Sequence, residues 1–188
     1  MIYLKKYLKK IDACSKSLKW AGNRKTSKAA WLACPRADWL LWLAGRIGID
    51  KNLIILAACD IAESVLHLVP ENEERPGKAI ETVRAFVAGK ATIEEVRAAR
   101  AAAIAVYNTY AARAAARAAA NAAANAIFST YAGGATIARA ISVADAAADA
   151  AYAAYAATNR DNVWAEKQKE LADIVRKRIP WNVWKEKL

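Results

Sequence analysis

The sequence predicts an all-α fold: a single-domain helical bundle of about seven helices, with a long alanine-rich antiparallel helical hairpin. Three observations carry this. Apolar residues recur at spacings of three and four, no stretch alternates with the period of a strand, and 33 of the 70 residues from 91 to 160 are alanine. Length bounds the rest, since 188 residues suffice for one continuous core. The domain, 1–188, divides into a basic, tryptophan-containing part (1–90), the alanine-rich hairpin (91–160), and a C-terminal helix with a tail (161–188).

Leu4, Tyr7, Leu8, Ile11 and Leu18 trace one apolar stripe, which predicts a helix to about Trp20 with Lys5, Lys6, Lys9 and Lys10 on its other face. The stripe continues past the lysines. That favours docking onto a core, or onto a second subunit of a homo-oligomer, over lying on a membrane. Thr26 or Ser27 caps a short helix carrying Trp31 and Leu32, and Pro35 fits the first turn of the next, which carries Trp39 and Trp42. Asp50 caps a largely apolar helix that Pro70 ends, and a further helix closes at Gly89. Thr92 and Glu95 form a capping box opening a helix to about residue 131, roughly 60 Å long if unbroken. A turn at "YAGGAT" leads into a second alanine helix from Ala135 to about Thr158. Asp161 caps a last helix, stopped by Pro180 before the tail.

Alanine gains little from burial, so the hairpin compensates through close approach of two backbones. Its exceptions then carry information. Thr109, Arg113, Arg117, Asn121, Asn125 and Ser129 stand four apart in one slowly rotating polar row. Reflection about a turn near 132 and 133 pairs Arg113 with Asp149 and Arg117 with Asp145. Such bridges would fix register; alternatively the arginines face a ligand.

Charge is uneven. Residues 1–50 hold 11 bases and 3 acids, so +8 of the net +11. Such a field favours anionic partners. Cys14, Cys34 and Cys59 include no CxxC pair, which predicts reduced thiols, and the N-terminus lacks a signal peptide's separate charged and apolar blocks; a cytoplasmic protein is expected. Cys59, Asp60, Glu63 and His67 share a helix, but Cys59 and His67 lie two turns apart and cannot meet one ion, so no metal is expected. The sequence has no GxGxxG, Walker loop or nucleophile elbow. No cofactor, no catalytic residue and no enzymatic activity are therefore expected. Trp20, Trp31, Trp39 and Trp42 lie among the N-terminal cations, a pattern that either fills a core or stacks a base while cations take phosphate.

The run Cys59-Asp60-Ile61-Ala62-Glu63, then Arg75-Pro76, Ala79-Ile80-Glu81 and Arg84, then Gly89 before the alanine tract, resembles the family of alanine-rich immunity proteins of bacteria and their phages. "DACSKSLKWAG" and "CPRADWLLWLAG" resemble its N-terminal part. The resemblance implies a non-enzymatic protein of inter-bacterial or phage–host conflict that binds a toxin, and it brings no site. An inhibitor of a nucleic-acid-attacking toxin should be acidic, whereas this chain is basic. The expected function is thus sequestration of an anionic phosphorylated ligand such as a nucleotide immune signal. Arg113, Arg117 and Arg139 would hold phosphate and Tyr107, Tyr110 or Trp39 would stack on the base. The alternative is an immunity protein that neutralises a protein partner through its basic N-terminal face; a third reading is a nucleic-acid binder working through lysines.

Overall fold

The computed structural model describes the backbone of residues 4–22, 24, 26–106, 110–129, 135–158 and 162–187, with side chains for all of these except 110–111, 125–129 and 135–144. The described residues form eleven α-helices and one 3-10 turn, with no strand among them. The helices are α1 Leu4–Lys10, α2 Ser15–Ala21, α3 Ser27–Ala33, α4 Ala37–Arg46, α5 Lys51–Glu63, α6 Arg75–Val87, α7 Ile93–Ile104, α8 Tyr110–Ser129, α9 Ala135–Thr158, α10 Val163–Arg178 and α11 Trp181–Lys185; the 3-10 turn is Leu66–Leu68.

Eleven helices stand where about seven were expected, because two expected helices are each described as two and the expected tail adds another. The N-terminal stripe is interrupted at Asp12, whose φ of 60° lies in the left-handed region. Two backbone hydrogen bonds close α1 there, Asp12 N–H to Lys9 O (3.3 Å) and Ala13 N–H to Leu8 O (3.0 Å). The expected helix from 92 to 131 is described as two: α7 ends at Ile104, Ala105 and Val106 lie outside any helix, and α8 is described from Tyr110. The expected tail contains α11, which follows Pro180.

Local signals placed most other boundaries. The Thr26 hydroxyl accepts from Ala29 N–H, and Asp50 accepts from Asn52 and Leu53 N–H. Thr92 and Glu95 form the reciprocal capping box. Pro35 instead precedes the α4 N-cap, Arg36. The proposed cap Asp161 lies outside the described residues.

Alanine builds the centre. The ten alanines between Ala112 and Ala124 are each at most 4% exposed. α8 packs most extensively against α9 and also against α5, α6 and α7, while α9 packs on α4, α5 and α10. With neighbours on several sides, the buried faces of α8 leave no room for a long side chain, and close approach maximises dispersion contact; the long side chains Arg113 and Arg117 stand on its exposed strip. Larger residues fill the periphery of this core: Ile54, Ile55 and Ile61 from α5, Ile80 and Val83 from α6, and Leu171 and Val175 from α10.

Polar groups fix how the layers meet. Gln168, fully buried on α10, accepts from Ala37 N–H at the start of α4 (3.0 Å) and donates to Ala147 O on α9 (3.3 Å). Asp60 on α5 is bound by Arg84 of α6 (3.0 Å) and Arg178 of α10 (2.7 Å). Between α8 and α9, Asp149 takes Arg117 (3.3 Å) and the Asn121 amide (2.8 Å). Of the expected pairs, Arg113 with Asp149 and Arg117 with Asp145, the first is corrected, since Asp149 takes Arg117 one turn on, while Arg117 also acts on the Asp145 carboxyl. Both expected pairs reflect about residue 131 and the observed one about 133, a shift of two residues that moves the partner by about one helical turn.

A smaller apolar cluster of Leu8, Ala13 and Ala21 lies apart from the main core, joined by Leu4, Ile11, Leu18, Trp20, Trp42 and Leu43. The N-terminal stripe therefore docks within its own chain. Among the described residues, no helix is long and apolar enough to cross a membrane.

Candidate functional site

Where the small N-terminal cluster meets the main core, packing leaves a cleft of about 330 Å³. Five tryptophans line it: Trp20 of α2, Trp31 of α3, Trp39 and Trp42 of α4, and Trp184 of α11. Spacing explains why α4 contributes two. Ala37, Leu41 and Ala44 form its fully buried stripe, which leaves Trp39 and Trp42, three apart, half-buried beside it. Leu4 and Leu8 of α1 close the opposite wall.

Each N-terminal tryptophan carries an arginine. The Arg24 guanidinium lies 4.1 Å from the Trp20 ring centre and donates to Trp20 O (3.0 Å). Arg36 sits 5.0 Å from Trp39 and 4.3 Å from Trp164, and pairs with Asp38. Arg46 lies 5.8 Å from Trp42 and donates to Ile11 O, while Arg176 lies 5.9 Å from Trp31 and donates to Trp31 O and Cys34 O. These cations lie against indole faces, where the ring quadrupole attracts them. Arg24 has no carboxylate partner among the described residues. The Trp31 indole N–H is buried and lacks an acceptor among the described residues.

The lining carries two carboxylates, Asp12 and Asp38, and no lysine or arginine. It also includes Cys14, the N-cap of α2. Partial burial pushes the Cys14 thiol up, but hydrogen bonding with the Ser17 hydroxyl and with the Ser17 and Lys16 backbone outweighs this and holds it below the ordinary value. Burial pushes Cys34 up to about 11 and Cys59 up to about 12.

Of the residues expected to form a site, the cleft takes Trp39 and no residue of α8 or α9. Arg113 and Arg117 are exposed on α8, and Arg117 contacts Asp149. Burial pushes Asp149 up to about 6, against the lowering effect of Arg117; Asp145 adds to the rise and Asn121 opposes it. Arg139 lies on α9 and Tyr110 begins α8, with side chains outside those described; Tyr107 lies outside the described residues. His67 is exposed on the 3-10 turn, and Glu63 and Asp60 are held by Arg84.

Sequence reasoning missed Arg24, Arg36 and Arg46 as the cations beside the tryptophans. The signal was present: Trp20 with Arg24 and Trp42 with Arg46 are four apart, and Arg36 with Trp39 three apart. Arg176 and Trp184 come from the other end of the chain and left no local trace. No protein-family model, curated protein or solved structure matches the chain.

Proposed function

We propose that this protein is a non-enzymatic binding protein that sequesters an anionic ligand carrying a planar ring, a nucleotide being the first candidate. The observation that carries this reading is the tryptophan-lined cleft among arginines. Indole faces stack a base, and adjacent guanidinium groups take phosphate oxygens. At about 330 Å³ the cleft lies at the small end of the roughly 300–1,000 Å³ range of ligand pockets, which suits one ring system with its sugar. Trp39 keeps the stacking role expected of it. Arg24, free of any acid partner among the described residues, is the first phosphate contact. In this reading α8 and α9 form the antiparallel hairpin at the centre of a helical bundle. Arg113 and Arg117, with Arg139, belong to that scaffold and its outer face, and the reduced thiols fit a cytoplasmic setting.

The family resemblance supports a role in bacterial or phage conflict, where sequestration requires affinity without turnover. A second reading, an immunity protein that neutralises a protein partner, is favoured by one observation: Lys5, Lys6, Lys9 and Lys10 of α1 are all exposed.

The test is to incubate the purified protein with cell extract, wash, denature it and identify what it releases by mass spectrometry. A stoichiometric nucleotide is expected. A co-purifying protein with nothing small supports the second reading, and absence of binding across a panel of linear and cyclic nucleotides overturns the first.

A further inference from the structure

The cleft also constrains which ring it takes. Its two carboxylates are not equivalent. Asp38 is committed: both oxygens face the Arg36 guanidinium, and Oδ1 accepts from Trp39 N–H. Asp12 is exposed, and its side chain makes no hydrogen bond or ion pair among the described residues.

Asp12 occupies the left-handed position that ends α1 (φ 60°), a conformation aspartate tolerates. Its negative charge stands at a helix C-terminus, where the helix dipole favours a positive one, so the fold itself does not call for a carboxylate there. Exposed on the wall of an aromatic cleft, it offers two acceptor oxygens to a partner that donates hydrogen bonds.

Among the common bases, guanine alone presents two adjacent donors, N1–H and the N2 amino group, on one edge, matching the two oxygens of a carboxylate. Adenine and cytosine offer one amino group beside a ring acceptor that repels it, and uracil flanks its single N–H with two carbonyls. Resting on the sequestration reading above, we infer that the ligand is a guanine nucleotide, its base stacked in the tryptophan cleft and its Watson–Crick edge read by Asp12. The phosphate then lies toward the arginines, and no bond is made or broken.

The test uses the full chain and titrates guanosine, inosine and adenosine monophosphates while following tryptophan fluorescence. Guanosine monophosphate is expected to bind about tenfold or more tighter than adenosine monophosphate, with inosine monophosphate, which lacks the N2 amino group, between them. Asp12→Asn suits the left-handed backbone and removes a charge that opposes the helix dipole, so thermal unfolding should stay where it is or shift slightly upward. It should reduce guanosine monophosphate to the affinity of adenosine monophosphate and leave the latter where it was. If nucleotides bind but the guanine preference is absent, or survives in Asp12→Asn, the inference falls and nucleotide sequestration stands. If none of the three binds and no nucleotide is released from the extract-loaded protein, both fall.

Discussion

Asp149 offers the sharpest physical test of how the alanine helices are held together. It sits on α9, 8% exposed, with Asn121 donating to it at 2.8 Å and Arg117 at 3.3 Å. Burial outweighs the arginine, and its carboxyl is pushed up to about 6 from 3.8. The folded state then holds a proton that the unfolded chain has released between those two values. Stability therefore falls as pH rises from about 4 to about 6 and is level above that. The interval corresponds to about 3 kcal/mol as an upper bound. Asp149→Asn keeps the shape, still accepts from Asn121, and removes the ionisation. It should match the wild type near pH 4 and be more stable at pH 8 by on the order of 1–3 kcal/mol, each kcal/mol being about 2–4 °C in Tm for a chain of this size. The measurement is a pair of thermal or urea unfolding series from pH 4 to 8. Taking the difference between the proteins cancels the other titrating groups, apart from the neighbouring Asp145, whose carboxyl burial also raises. A variant less stable at pH 8, or a difference that does not change with pH, would refute the account of Asp149 as a carboxylate costly to ionise.

Ala119→Leu and Ala123→Leu, at fully buried positions of α8, should each cost about 1–3 kcal/mol by overpacking; unchanged melting in both would mean the seam has room it does not show. Gln168→Leu strands the Ala37 N–H, and a loss of about 1–3 kcal/mol in urea unfolding is expected. With iodoacetamide at pH 7, Cys14 should be modified first, and Cys34 and Cys59 only after denaturation; equal rates at all three by mass spectrometry would contradict their burial. Arg24→Gln should weaken nucleotide binding and flatten its salt dependence by about one ion, which isothermal titration at several salt concentrations reads directly.

Helix chemistry was legible in the sequence wherever the determinant was local. Thr26, Asp50 and the pair Thr92 and Glu95 sit where their side chains can reach free N–H groups a few residues on, and those caps formed. The break at Asp12 was not legible, because Leu4, Leu8, Ile11 and Leu18 keep helical spacing across it; the two short helices fold over each other and present the same residues to one cluster. The register between α8 and α9 was half legible. The polar row and its acids were visible, but which arginine meets Asp149 depends on the rotation set by the intervening turn. The cleft was hidden for another reason. Trp39 and Trp42 read as core because helical spacing cannot tell a residue packed on a wall from one packed in a centre. The last tryptophan of the cleft lies more than 140 positions away in the chain.

That last wall makes the cleft a joint between distant parts of the chain. Trp184 is fully buried in α11 and held by its indole N–H donating to Ile179 O at 2.9 Å, while Trp181 packs at a tilt against Trp31 with ring centres 5.7 Å apart. Residues between Leu4 and Leu43 supply the rest of the lining, so the shape of the cleft depends on two segments far apart in sequence being held together. Loosening α11 alone would open one side of it.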